Sequence, residues 1–150
     1  FLWHEIEVKG KCRGYYATAQ RGALLMLFDT DVLIFVQRGN EKAAKAVEKA
    51  EERCISVQTY MELLQDANDK TQHTQIIGFL KQFSFVVLPL SENIGHRASI
   101  YVEEYSLSHS IRAGDAIVAA TALENGLELM SANRKHFKPI KELKWKVFKP

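Results

Sequence analysis

The chain has 150 residues, 47% hydrophobic and 25% charged, with 20 Lys and Arg against 18 Asp and Glu for a formal net charge of +2. These values describe one globular domain able to bury a full core without disulfides or a structural metal. They exclude a global positive field, so any polyanion contact has to be a local patch. Cys12 and Cys54 have no metal-ligand spacing, and two reduced thiols are expected. No apolar run approaches the roughly 20 residues of a membrane span, and the start of the chain lacks a signal peptide's apolar centre. A soluble, cytoplasmic protein is the expectation.

Residues 1–25 differ in character from the rest of the chain. Phe1 to Val8 alternates weakly, like an edge strand, and Lys9 to Tyr16 is basic and turn-like. Met26 stands just ahead of the first strong strand, so 1–25 reads as an extension, non-native or translated from upstream, and 26–150 as the folded domain. A real extension that packs on a neighbour or partner is the alternative.

Leu24 to Phe28 is a short apolar run ending in Asp29, Thr30 and Asp31, after which apolar residues resume at once. Such a run suits a strand buried on both faces of a parallel sheet. The acids then fall where strand gives way to helix, with Asp29 or Thr30 free to cap it. Arg38-Gly39-Asn40 breaks that helix, and Glu41 to Arg53, with Ala44, Val47 and Ala50 at helical spacing, predicts an amphipathic surface helix. Cys54 to Val57 predicts a second strand.

Thr59 to about Asn68 predicts the next helix, capped by Ser56 or Thr59. Thr59 and Glu62 stand three apart, the spacing of a capping box, so Glu62 is either a cap partner or a site residue. Thr71 to Phe83 predicts a further helix whose stripe of Ile76, Ile77, Phe79 and Leu80 offers more apolar surface than a small sheet needs. Phe85 to Leu88 predicts a third strand, stopped by Pro89, and Ser91 caps a long helix on which His96 and Arg97 read as solvated. His109 to Gly114 predicts a loop.

Asp115 to Leu123 is apolar on nearly every face, so this helix is expected to be buried. An acid in its first turn suits the helix dipole, yet a charge heading a buried helix needs a partner. Asn125-Gly126 ends it. Leu127 to Met130 predicts the fourth strand, followed by Ser131, Ala132 and Asn133, and Leu143 to Phe148 a last edge strand. Strands alternating with helices imply a three-layer α/β/α sandwich with a mostly parallel sheet of four to five strands. In such sheets ligands bind outside the strands' carboxyl ends. Asp29, Glu62 and Asp115 can meet on that edge, and carboxylates without nearby thiols or paired histidines suit a hard cation such as Mg²⁺ or Mn²⁺.

Four stretches then carry a resemblance. Leu27-Phe28-Asp29-Thr30-Asp31-Val32-Leu33-Ile34, Ser56-Val57-Gln58-Thr59-Tyr60-Met61-Glu62, Ile111-Arg112-Ala113-Gly114-Asp115-Ala116 and Leu129-Met130-Ser131-Ala132-Asn133-Arg134-Lys135-His136-Phe137 resemble, in order, the motifs of PIN-domain nucleases, most closely the VapC-type toxins of toxin–antitoxin pairs. The resemblance implies a Mg²⁺- or Mn²⁺-dependent endoribonuclease, commonly a homodimer, held inactive by a cognate antitoxin. Asp29, Glu62 and Asp115 match the acidic metal site, and Asn133 matches a fourth catalytic position that is often aspartate. Its neutral amide implies one well-occupied cation rather than two. Thr30, Asp31 and Ser131 match supporting positions, with Asp31 standing where the family often has asparagine. Arg112, Arg134, Lys135 and His136 are candidate contacts to RNA phosphates. A catalytically weak PIN-like module that binds RNA or a partner, and a small α/β phosphatase or phosphotransfer domain, are the alternatives. The complete acid set favours the nuclease over the first. The second wants a lysine past a late strand, which Ser131-Ala132-Asn133 does not supply.

Overall fold

A computed structural model describes residues 25–150. The expected extension lies outside that range except for Leu25, which opens the first strand, β1, at Leu25–Phe28. Helices α1 (Thr30–Gln37) and α2 (Glu41–Lys49) come next, then β2 (Glu52–Ser56), α3 (Val57–Gln65) and α4 (Lys70–Gln82). The chain continues through β3 (Val86–Leu88), α5 (Glu92–His109), α6 (Ala113–Glu124), β4 (Glu128–Ser131), the single turn α7 (Arg134–Phe137) and β5 (Trp145–Val147).

The expected elements are present, with shifted ends. The helix predicted over Glu41 to Arg53 stops at Lys49, because Arg53 already belongs to β2 and spends its guanidinium on the carbonyls of Val47, Glu48 and Phe83. The predicted loop from His109 to Gly114 shrinks, since His109 ends α5 and Ala113 begins α6. Side-chain caps are where short polar residues precede apolar periodicity: Asn40 accepts from Ala43 N, Ser56 from Thr59 N, Asp69 from Gln72 N and Ser91 from Ile94 N. Gly126, with φ at +64°, turns the chain out of α6.

The sheet order is β3-β2-β1-β4-β5 and every pairing is parallel. The chain steps from β1 through β2 to β3 in one direction, then crosses back to lay β4 on the other side of β1. Parallel crossovers keep one hand, so this reversal moves the connecting helices to the opposite face. Met26, Phe28, Ile55, Val87 and Met130 pack under α1 to α4. Leu27, Cys54, Val86, Leu88 and Leu129 pack under α5 and α6. Three layers result, and between β1 and β4 the sheet has its topological switch point.

Three expectations are corrected by the fold. Ile76, Ile77 and Leu80 are not surplus surface, because all three are buried in the first layer; only Phe79 of that stripe is half-buried. Arg97 is not simply solvated, since its Nε meets Glu124 Oε1 at 2.6 Å and ties α5 to α6. Cys54 is buried and disulfide-bonded rather than a free thiol; compartment arguments say nothing about which sulfurs meet in space. The chain's other cysteine, Cys12, lies outside the described residues. No described helix is long and apolar enough to cross a membrane.

Candidate active site at the carboxyl edge of the sheet

β1 ends at the switch point, and the first residue beyond it is Asp29. Its backbone N–H donates to Met130 O at 3.0 Å, which locks the ends of β1 and β4 together. As N-cap of α1, Asp29 takes Thr30 N on Oδ1 at 2.8 Å, and Ser131 Oγ donates to Oδ2 at 2.7 Å. Asp31, two residues on, accepts from Ala132 N at 2.9 Å and lies 3.3 Å from the same Ser131 hydroxyl. Ser131 therefore bridges two carboxylates with a single hydrogen, while accepting Asn133 N at 3.0 Å. Asp31 Oδ1 is buried with no hydrogen-bond partner, which is costly for a charged oxygen.

Burial, and then the nearby Asp31 charge, pushes the Asp29 carboxyl up to about 7 against the hydrogen bonds from Ser131 and Thr30. Burial raises Asp31 as well, and the charge on Asp115 raises both. Asp29 and Asp31 thus gain from protonation or from a cation.

Glu62 approaches from α3. Ser56, not Thr59, caps that helix, so Thr59 lies in its first turn and Glu62 forms no capping box. Glu62 Oε2 instead takes the Thr30 hydroxyl, and Gln58 Nε2 donates to Oε1 at 2.9 Å. Behind Thr30 runs a hydroxyl chain, with Thr59 Oγ1 at 3.2 Å and Ser56 Oγ a further 3.2 Å on. α6 comes so close that a Cβ on Gly114 would stand 2.9 Å from Glu62 Oε1 and 3.2 Å from Gln58 Nε2. Gly114 thus links Glu62 to Asp115, the next residue.

Asp115 Oδ2 accepts from Arg112 N at 3.0 Å, the acidic half of a capping box; the guanidinium of Arg112 has nothing to accept with. The same oxygen lies 2.9 Å from His136 Nδ1. Asn133 stands at the N-cap of α7 but makes no side-chain cap bond, and its amide end lies 2.6 Å from His136 Nδ1. Arg112, Arg134 and Lys135 are exposed, with Lys135 Nζ 3.5 Å from Ser110 Oγ.

Thr30, Asp31 and Ser131 are hydrogen-bonded to or within this carboxylate group; Asn133 joins it through its backbone and through His136. Of the four basic candidates His136 enters the network, at Asp115 Oδ2, and the side chains of Arg112, Arg134 and Lys135 do not. Sequence reasoning missed Gln58 and Gly114. Gln58 stands one helical turn from Glu62, a signal that was available; the closeness at Gly114 is tertiary. Among the described residues no three acidic, His or Cys side chains already close into a finished metal cage. A groove of about 780 Å³ lies away from these carboxylates, between α1, α3 and α4, lined by Ile34, Val36, Leu63, Ile76 and Phe79 with Arg38, Asp66 and three glutamines at its rim.

Comparison with known proteins places the chain. Ribonuclease VapC10 of Mycobacterium tuberculosis is 34% identical over 124 residues, covering 80% of this chain and 91% of that protein. A toxin–antitoxin complex from Klebsiella pneumoniae superposes with a TM-score of 0.67 at 29% identity, over 79% of this chain and 94% of that one. VapBC2 from Rickettsia felis, bound to a DNA fragment from its promoter, shares the fold at 18% identity with a TM-score of 0.70, over 84% of this chain and all of that one. The PIN domain family model matches residues 26–143, and the chain belongs to the PIN domain family.

Proposed function

We propose that the chain is a toxin ribonuclease that cuts RNA phosphodiesters endonucleolytically with a bound Mg²⁺ or Mn²⁺ and is held inactive by a cognate antitoxin. The observation that carries this reading is the approach of Asp29, Asp31 and Asp115 where β1 meets β4, with Asp29 pushed up to about 7, Asp31 Oδ1 buried without a partner and Glu62 tied to the same edge through the Thr30 hydroxyl. An all-oxygen donor set fits a hard divalent cation. The carboxylates are held by their own hydrogen-bond donors, Ser131, Ala132, Thr30, Gln58 and the Arg112 backbone. Ribonuclease VapC10 and the toxin–antitoxin complexes support the substrate and partner classes.

In this reading Asp29 and Asp115 hold the ion and Glu62 stands close by, directly or through water. An ion held there would supply activation of an attacking water and charge neutralisation at the phosphoryl oxygens. The protein's part is orientation. Ser131 aims Asp29 and Asp31, while Thr30 and Gln58 hold both oxygens of Glu62. Exposed Arg112, Arg134 and Lys135 flank the edge and can meet phosphates as the strand lies across it. The apolar groove floored by Leu63, Ile76 and Phe79 fits an amphipathic helix, the form in which an antitoxin segment would dock, and a homodimer is the assembly that the resemblance implies. Residues 26–150 act as the nuclease domain, with 1–25 as an extension.

Incubation with total RNA, with and without Mg²⁺ or Mn²⁺, tests this directly. Cleavage at mapped internal sites should need the cation and vanish in Asp115→Asn, which keeps the shape and removes one charge. RNA that is bound but left uncut under every condition would favour a binding module instead.

A further inference from the structure

Two donors converge on one oxygen of Asp115: Arg112 N at 3.0 Å and His136 Nδ1 at 2.9 Å. Both fall on Oδ2, which leaves Oδ1 for a further partner. The ring nitrogen carries the information. Nδ1 either donates a hydrogen or accepts one, never both, and an ionised carboxylate only accepts. Nδ1 must therefore carry the hydrogen. The side-chain end of Asn133, 2.6 Å from that same Nδ1, then faces it with its carbonyl, since the NH₂ end would bring two donors together. An asparagine exchanges its ends by a half-turn.

Asn133 in this orientation shares the one Nδ1 hydrogen with Asp115 as the weaker, uncharged acceptor, while its backbone N–H is held by Ser131 Oγ at 3.0 Å. The ring is anchored from below as well, because the next residue, Phe137, is fully buried in the second layer. We propose that His136 is a positioning residue for the cation site: its Nδ1–H, with the Arg112 N–H beside it, pins Asp115 Oδ2 and so presents Oδ1 to the divalent ion. The proposal rests on the metal-site reading given under the proposed function. It also gives the neutral amide at position 133 a reason. An amide carbonyl is the weaker acceptor and leaves the Nδ1 hydrogen mainly to Asp115, whereas a carboxylate there would compete for it on equal terms.

Three variants separate this role from any other that His136 could play. His136→Asn keeps an amide donor close to where Nδ1 stands, His136→Gln carries it to the place of Nε2, and His136→Ala has none. Titration calorimetry of Mn²⁺ into the RNA-free full chain reads the ion directly, and thermal melts report the fold. Outer contacts to metal ligands are typically worth about 10- to 100-fold in affinity. His136→Ala and His136→Gln should weaken Mn²⁺ binding by roughly tenfold or more, with His136→Asn within about threefold of the parent. Equal affinity in all three would overturn the proposal, as would rescue by Gln but not Asn, which would put the working contact at Nε2. Should the Ala variant fail to fold, the two amide variants still decide between the nitrogens. Asp115→Asn is the control. Loss of Mn²⁺ binding there beside unchanged binding in the His136 set sinks the positioning role alone, whereas unchanged binding in Asp115→Asn sinks the metal-site reading and the proposal together.

Discussion

Gly114→Ala should lower the activity of this protein and leave its stability close to that of the parent. Glycine costs a helix up to about 1 kcal/mol relative to alanine, and Gly114 lies in the first turn of α6. The new Cβ would stand 2.9 Å from Glu62 Oε1 and 3.2 Å from Gln58 Nε2, against the 3.4 Å at which ordinary contact begins. Both atoms are the ends of flexible side chains, so the fold yields by turning them and loses little. Glu62 cannot yield freely, because Thr30 holds its other oxygen and Gln58 holds Oε1. A retreat of about half an ångström breaks one of those bonds and moves the carboxylate off its aim. Misplacement by about 1 Å costs on the order of 100-fold in catalysis, so a loss of about tenfold is expected in kcat/KM. The helix gain of up to about 1 kcal/mol, roughly 2–4 °C in Tm for a chain of this size, is offset at Gly114 by the broken hydrogen bond, worth about 0.5–1.5 kcal/mol. Gly78 in α4 and Gly95 in α5 have nothing within 4 Å of the same added atom, so Gly78→Ala and Gly95→Ala should bring the stability without the loss. The assay is RNA cleavage in Mn²⁺ beside thermal melts of all three variants. Activity of Gly114→Ala within twofold of the controls would refute the reasoning.

The folded chain should respond to pH in the sense set by Asp29, whose carboxyl goes from an ordinary 3.8 to about 7 on folding. Between those values the native state holds more protons than the unfolded one, so stability falls as pH rises. In EDTA, Tm should drop from pH 5 to pH 8, Mn²⁺ should restore more of it at pH 8 than at pH 5, and Asp31→Asn should flatten the profile; a flat parent profile would contradict the burial argument. Thr30→Val removes the hydroxyl that Glu62 accepts and should cost about tenfold in cleavage, while Thr30→Ser restores it; equal activities would show that Glu62 needs no orienting.

What the sequence alone determined is local. An apolar run of strand length, a short polar residue before each helical stripe and a glycine after α6 are all read within a few residues of one another. They fix the alternation of strands and helices and so the layered architecture. The acids at Asp29 and Asp115 were legible for the same reason, since each stands at a boundary that periodicity marks. Nothing local says which strands become neighbours. β4 lies beside β1 only because the chain reverses direction across the sheet, and that reversal brings Ser131 onto Asp29 and Asp31 from about 100 residues away. Glu62 had two readings on its own helix, and contact with Thr30 of another element chose between them. His136 read as a phosphate contact until Asp115 and Asn133 were found on its ring nitrogen. Periodicity tells a side chain which face it belongs to, while its partner is set by packing between elements distant in sequence, and the chemistry of this site depends on those partners.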